Sequence, residues 1–473
     1  MTESTFESGL ASRRAASLPW GAPLVVAALL AGCSLTPTYE RPPAPIPQHF
    51  AGLTEVGNAV LPDWCTYFPD PALHRLIEAA LADNRDLRIA VARVEEARAL
   101  AGIARADRFP TLDAQGSLNR SRTPADLTGF GKARTISRYD AGLGVTAFEL
   151  DFWGRVAALS EAARAQYLAS DEAAKSFRIG LIGDVASTWL QLTEFAEQIR
   201  LASETLGSRE ESLDLTRKRR DAGLASDLDV LVGEGLVESV RAQLANLKRQ
   251  QSQTENALRL LTGMTAPLPE PANFSTHTAM AELAPGLPSD VLLRRPDVRA
   301  AEQRLIASNA NIGAARAAFF PRIALTANLG TASSALSGLF DAGSQAWLFQ
   351  PVLTLPLFDA GRNRATLQVA EARKLEAVAD YEKTIQQAFR EVADALAART
   401  TYREQVSALE ANLRAQKARF ERVKARERAG IANYLEVLDA SRDSFLAEQA
   451  LTTSRRQLLG AEVDLYKALG GGA

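Results

Sequence analysis

The feature that most constrains this sequence is that it is written twice. Asp86-Leu87-Arg88 returns as Asp297-Val298-Arg299, Arg93 as Arg304, and Ala104-Arg105-Ala106 with Phe109-Pro110 as Ala315-Arg316-Ala317 with Phe320-Pro321, all at an offset of 211. Further along the offset is 207: Gly154-Arg155 meets Gly361-Arg362, Val185-Ala186 meets Val392-Ala393, and Ala222-Gly223-Leu224-Ala225 meets Ala429-Gly430-Ile431-Ala432. The matches are collinear, and a repeat of this kind fixes the architecture before any motif is read. A length of 473 residues alone suggests about three domains of roughly 150 residues. The duplication replaces that with two copies of one plan.

Each copy reads as a helix, two strands and a long helical hairpin. After Pro110, Leu112, Ala114, Gly116 and Leu118 alternate with Thr111, Asp113, Gln115, Ser117 and Asn119; after Pro321, Ile323, Leu325, Ala327 and Leu329 alternate with Arg322, Ala324, Thr326 and Asn328. A period of two with one apolar and one mostly polar face predicts strands. They span about 111–121 and 322–332, with partner strands over about 137–153 and 346–358. Tyr139, Phe148, Phe152, Trp347, Phe349 and Phe358 lie near the partner-strand ends, where they suit either an interfacial girdle or an ordinary soluble sheet.

From Arg155 to about Arg220, and from Arg362 to about Arg428, there is no proline and much Ala, Leu, Glu, Arg and Gln. In the second stretch Ile385, Val392, Val406, Leu413 and Phe420 keep one heptad register broken only at Arg399, which predicts coiled-coil packing. Some 65 residues at 1.5 Å each reach about 100 Å, and charges recur throughout, so these are rods in water and not membrane spans. The turns Arg220–Asp227 and Arg428–Tyr434 carry a glycine for a left-handed cap and Ser226 or Asn433 to start the returning helix. The hairpins span 155–262 and 362–469. The expected organisation is a leader at 1–32, an anchor and tether at 33–69, the first repeat at 70–263, a linker at 264–287 and the second repeat at 288–470.

Composition narrows function by exclusion. Lys and Arg number 54 against 56 Asp and Glu, which argues against a partner held by phosphate neutralisation, so no nucleic acid is expected. Two cysteines and three scattered histidines support neither a disulfide framework, nor a metal site, nor a His-dependent triad, and no catalytic residue is assigned. Cys65, beside Trp64, reads as a small buried hydrophobe without a disulfide.

Arg13-Arg14 precede an apolar run from Leu18 to Ala31, the size of a secretory signal core. Its end, Leu29-Leu30-Ala31-Gly32-Cys33, resembles the lipobox of bacterial lipoproteins. That resemblance implies cleavage before Cys33 and a diacylglycerol and N-acyl lipid such as palmitate on its thiol and amine, with no other cofactor. Ser34 in the next position favours the outer membrane. Pro37, Pro42, Pro43, Pro45 and Pro47 then predict an extended, semi-rigid tether.

Four strands per chain cannot close a barrel, and open strand edges are not tolerated in hydrocarbon. Strands that enter a membrane must therefore come together from several chains. Three copies give twelve, wide enough for a water-filled lumen.

The stretch Pro285-Gly286-Leu287-Pro288-Ser289-Asp290-Val291-Leu292-Leu293-Arg294-Arg295-Pro296-Asp297-Val298-Arg299, continuing through Asn309-Ala310-Asn311-Ile312-Gly313 to Phe319-Phe320-Pro321, resembles the hallmark of TolC-like outer-membrane efflux proteins. Within them it is most similar to the NodT-type lipoproteins that serve resistance-nodulation-division (RND) pumps. Asp70-Pro71-Ala72-Leu73, Asn84-Arg85-Asp86-Leu87 and both hairpin turns also fit, over roughly 34–470. The resemblance implies a mainly α fold with membrane β: a homotrimer with a 12-stranded outer-membrane β-barrel, four strands per chain, joined to a periplasmic α-helical coiled-coil barrel. It implies a passive duct for multidrug resistance, working with a periplasmic adaptor (membrane fusion) protein and an inner-membrane RND pump.

Family members close the pore with residues matching Leu435, Asp439 and Arg442, which sit at i, i+4 and i+7 on one helical face. Leu435 would form an apolar constriction and a ring of Asp439 would attract cations; a solvated surface pair is the alternative for Asp439 and Arg442. Gly223, Leu224, Ala225, Ser226, Gly430, Ile431 and Ala432 would receive the adaptor, or simply cap helices. Competing functions are a channel for type I protein secretion, a structural coiled-coil envelope lipoprotein, which would not need the alternating strands, and a lipid-anchored hydrolase, for which no G-x-S-x-G exists.

Overall fold

The computed structural model describes residues 34–47, 62–271 and 289–471. The leader, Cys33 and most of the 264–287 linker lie outside the described residues. In chain order the elements are α1 Trp64–Tyr67, α2 Pro71–Asp83, α3 Arg85–Ala106, β1 Asp113–Thr123, β2 Arg134–Leu150, α4 Arg155–Asp221, α5 Asp227–Thr262, α6 Pro296–Ala317, β3 Arg322–Ser333, β4 Gln345–Thr354, α7 Arg362–Arg428 and α8 Tyr434–Ala468. The two long helices α4 and α7 have 67 residues each, and their returns, α5 and α8, have 36 and 35. The structural units do not follow the repeats. Two compact units form, one from 1–39, 102–162 and 308–373, the other from 40–101, 163–307 and 374–473, so each draws on both halves.

The first unit holds one antiparallel sheet in the order β1-β2-β3-β4. Its register settles how the alternating residues align. Ala114 lies opposite Leu143, Leu143 opposite Leu329, and Leu329 opposite Trp347; the neighbouring row is Gln115, Gly142, Gly330 and Ala346. Leu118 and Tyr139 join the first face, Ser117 and Asp140 the second. The alternating apolar residues of β1 and β3 therefore fall on one side of a common sheet, as a period of two requires, while Leu348 and Val352 of β4 lie on the other. Gly142 and Gly330 face each other across β2 and β3, and a Cβ at Gly330 would collide with the Ala141 carbonyl, so only glycine permits this approach.

One strand is shorter than the sequence suggests. β4 stops at Thr354 rather than near 358, just short of Pro356, which can offer no ladder donor. β2 carries a bulge between Val145 and Phe148, with Ala147 at φ 52°. At the base of the sheet Glu149 accepts two bonds from Arg155, at 2.8 and 2.7 Å, and meets Arg322 at 2.7 Å. Trp153 stacks on Phe320, centroids 4.7 Å apart, and donates to the Pro321 carbonyl.

In the second unit Trp189 is fully buried and donates to Asp70, whose other oxygen caps α2 through the Ala72 amide. Tyr67 stacks on Tyr466 and donates to the Glu462 carbonyl at 2.8 Å. The heptad break at Arg399 is explained here. Its guanidinium meets the buried Glu462 carboxylate at 2.8 Å, so a charge pair occupies the place of an apolar knob. Cys65 is exposed, contrary to the sequence expectation of a buried position; in the single turn of α1 it is Trp64 and Tyr67 that turn inward.

The tether is held from Thr36 to Arg41. The Pro37 carbonyl accepts from Asn309, Thr36 fills the space a side chain at Gly313 would take, and Arg41 grips Glu302 with bonds of 2.6 and 2.9 Å. Those three partners all lie on α6.

Candidate functional site

The two hairpin turns close in the same way. At the first, the Gly223 amide donates to the Arg220 carbonyl at 2.8 Å and the Leu224 amide to Arg219 at 2.7 Å; at the second, Gly430 donates to Glu427 at 2.9 Å and Ile431 to Arg426 at 2.9 Å. Gly223 and Gly430 sit at φ 74° and 73°, the left-handed region that ends helices in this fashion. Each returning helix starts with a complete capping box, Ser226 with Asp229 and Asn433 with Glu436. The bonds from Ser226 hold the Asp229 carboxyl below its ordinary pKa. Arg219 joins the two turns through Glu427 at 2.9 Å.

Capping does not account for the apolar residues at these turns. Leu224, Leu228, Leu231 and Ile431 are all exposed, and Ala225 and Ala432 are half-buried beside them. An apolar surface with rigid, doubly capped backbone is suited to receiving another helical hairpin.

One turn into α8 the structure brings two of the three expected gate residues together. Arg442 meets Asp439 at 3.3 Å, with both side chains about half exposed at 52% and 47%. Leu435 shares their face and is 54% exposed. Arg442 also reaches Asp443 at 3.5 Å, and Asp443 is held at 2.7 Å by Arg419. Arg209, on α4, was not expected from the sequence. It is buried, donates to the Leu236 carbonyl at 3.0 Å, and has its pKa lowered by burial and then by Arg442. Asp443 was legible as a neighbour of Arg442. Arg209 carries no local signal, because its carbonyl partner lies 27 residues away.

The repeat supplies a control. At an offset of 207, Leu435, Asp439 and Arg442 correspond to Leu228, Val232 and Gly235. Both copies carry the leucine, but the first hairpin folds without the charges, so the charged pair is not a requirement of the architecture.

The sheet, in the first unit, is a separate candidate site. Its polar face carries Asp113, Gln115, Ser117, Asn119, Asp140, Thr326 and Asn328, with Arg138 bridging to Asp140 at 2.9 Å. Leu118, Leu143, Leu329, Trp347, Phe349 and Leu353 stand exposed on the opposite face. No helix among the described residues is long and apolar enough to cross a membrane, and none of those residues form a cluster able to hold a metal ion. Cys33 lies outside the described residues; the described chain starts at Ser34, next to it.

The family described as outer membrane efflux protein matches residues 76–264 and 287–471. The solvent efflux pump outer membrane protein SrpC of Pseudomonas putida is 48% identical over 459 residues, which cover 95% of this chain and 97% of that protein. A solved membrane protein from Pseudomonas aeruginosa superposes with a TM-score of 0.88 at 46% identity, over 93% of this chain and 98% of that one. The open state of the Neisseria gonorrhoeae MtrE outer membrane channel superposes with a TM-score of 0.84 at 38% identity, over 93% and 98% of the respective chains. The duplicated, mainly helical protomer with one small sheet is thus the fold class of the trimeric TolC-like channels.

Proposed function

The chain belongs to the outer membrane efflux protein family, and we propose that three copies of it form the passive exit duct of a tripartite pump. An inner-membrane RND pump supplies the energy, and a periplasmic adaptor docks at Gly223–Ser226 and Gly430–Ala432. A lipid on Cys33 and the apolar face of the sheet hold the duct in the outer membrane, while the polar face lines water. Its cargo is small amphipathic compounds, including solvents of the kind named for SrpC. The duct itself performs no chemistry.

One observation carries this reading: a four-stranded sheet with one exposed apolar face, one mostly polar face and two open edges. Such a sheet satisfies its backbone in hydrocarbon only by closing with other copies. At the tip, Leu435 narrows the passage and the Asp439–Arg442 pair sets its charge.

The test is a deletion strain challenged with toluene and with amphipathic antibiotics, complemented by wild type or by Leu224→Asp with Ile431→Asp. Deletion sensitises the strain and wild type restores it, whereas the double variant assembles but fails to restore. A deletion strain as resistant as its parent would overturn the efflux role. Full restoration by the double variant would overturn docking at the tips.

A further inference from the structure

We infer that β4 pairs with β1 of the next copy in one defined register, with Gln350 opposite Asn119 and Trp347 opposite Arg122. This rests on the three-copy barrel proposed above and adds what that reading leaves open, the alignment of the seam.

The duplication supplies the alignment. Within the chain, β2 is the second strand of one repeat and β3 the first strand of the following repeat. A seam between copies joins the same two kinds of strand, β4 and then β1. The structure gives both offsets needed to carry one junction onto the other. Asp113 pairs with Gly144 and Ala324 with Val352, so β1 maps onto β3 by 211 residues and β2 onto β4 by 208. Beyond the strands the offset is 207, as Gly154 and Gly361 show. The missing residue is the bulge between Val145 and Phe148, which β2 has and β4 lacks.

Applied to the observed β2–β3 pairs, those offsets write the seam. Tyr139 with Ser333 becomes Trp347 with Arg122 of the next copy, Ala141 with Thr331 becomes Phe349 with Arg120, Gly142 with Gly330 becomes Gln350 with Asn119, and Gly144 with Asn328 becomes Val352 with Ser117.

A second observation, independent of the arithmetic, favours this alignment. Arg120 and Arg122 lie on the otherwise apolar face of β1, and neither makes an ion pair among the described residues. Trp347 and Phe349 are exposed on the same face of β4, Trp347 at 78%. Directly opposed side chains in an antiparallel pair stand about 5 Å apart, within the ~6 Å over which a guanidinium is attracted to an aromatic face. The seam therefore gives each arginine an aromatic partner. Because β3 fixes the face of Trp347 and Phe349, a slip by one residue would set the polar face of β1 beside them, and only slips of two compete.

The experiment is oxidative cross-linking of the full chain, in outer membranes, in a Cys65→Ser background that removes the exposed native thiol. Asn119→Cys with Gln350→Cys is compared with the slipped pairs Asn119→Cys with Leu348→Cys and Asn119→Cys with Val352→Cys. Two residues along a strand add about 7 Å to the ~5 Å between strands, which puts the slipped Cα atoms beyond the ~7 Å limit for a disulfide. Ser117→Cys with Val352→Cys samples the same register one step down and covers the case in which the first pair does not assemble. The expected result is a shift of the registered pairs to a covalent trimer band, with the slipped pairs remaining monomeric in denaturant.

The mass of each assembly in mild detergent is measured in parallel. A trimer in which a slipped pair cross-links and the registered pairs do not overturns the register and leaves the barrel standing. A monomer overturns both.

Discussion

Removing the Asp439 carboxylate separates a gate from a surface ion pair, because the two roles predict different magnitudes in different assays. The Arg442–Asp439 contact is 3.3 Å long and both side chains are about half exposed. Pairs of that exposure contribute only ~0.2–1 kcal/mol, and solvent screening puts this one towards the lower end. Even 1 kcal/mol shifts a midpoint by no more than about 2–4 °C in a domain of 150–250 residues, and less in a longer chain. Asp439→Ala should therefore melt within about 2 °C of wild type. Charge at the tip changes far more. Arg442 is left with Asp443, which Arg419 already holds at 2.7 Å, while the buried Arg209 lies close by. Three copies then present uncompensated positive charge where wild type presents a balanced pair. In planar bilayers the variant should leak at voltages that keep wild type shut and should lose preference for cations. Val232→Ala, at the equivalent position of the first hairpin, should change neither property. Wild-type conductance and ion preference in a normally assembled Asp439→Ala trimer would refute the gate.

Three further outcomes follow from the geometry. Gly430→Ala places a side chain at φ 73° with nothing within 4 Å, so the cost is backbone strain alone, about 1 kcal/mol; Gly207→Ala, equally uncrowded within α4, should stabilise by a roughly similar ~0.5–1 kcal/mol. Scanning calorimetry should show melting shifts of opposite sign. Arg41→Ala removes the grip on Glu302, and at ~0.5–1 kcal/mol for a partly exposed pair, proteinase K cleavage between residues 34 and 47 should rise about two- to fivefold, read by N-terminal mass analysis. Asp229 has a carboxyl pKa lowered by its bonds from Ser226, so its capping contribution is present above the unfolded value of about 3.9 and is lost as pH falls through the lower folded value. Amide protection factors at the start of α5, corrected for the intrinsic exchange rate, should thus hold at pH 5 and fall only below about pH 4, and Asp229→Asn should abolish that pH dependence.

What could be seen in the sequence was whatever depends on period. Alternation after Pro110 and Pro321 was enough to place the strands, and proline-free stretches were enough to place α4 and α7, because both signals are local. Three things escaped for one reason, that each depends on contact between distant segments. Five prolines read only as an extended, semi-rigid tether, yet it is held because Asn309, Gly313 and Glu302 lie about a turn or two apart on α6. Arg399 reads as a flaw in a heptad, and only the fold supplies Glu462, 63 residues on. Cys65 reads as buried by its neighbours' character, whereas a single helical turn can turn only some of its residues inward.

The same contrast bears on why the proposed gate falls in only one of the two copies. Where both copies keep a residue type, as with Gly223 and Gly430 or the capping boxes that follow them, the fold requires it, since both hairpins must close. Where they differ, the fold is satisfied by either choice and another demand decides. Val232 and Gly235 show that a hairpin of this kind closes without the pair that Asp439 and Arg442 make. Isolated glycine inside a helix costs up to about 1 kcal/mol relative to alanine, so Gly235 is not the choice that helix stability alone would make either. A Cβ at Gly235 would meet nothing within 4 Å in the protomer. Neither side of this difference is explained inside one chain. Both point to neighbours that arrive only on assembly, which is where the proposed gate would be built, with threefold symmetry, from a protomer that has only twofold repetition.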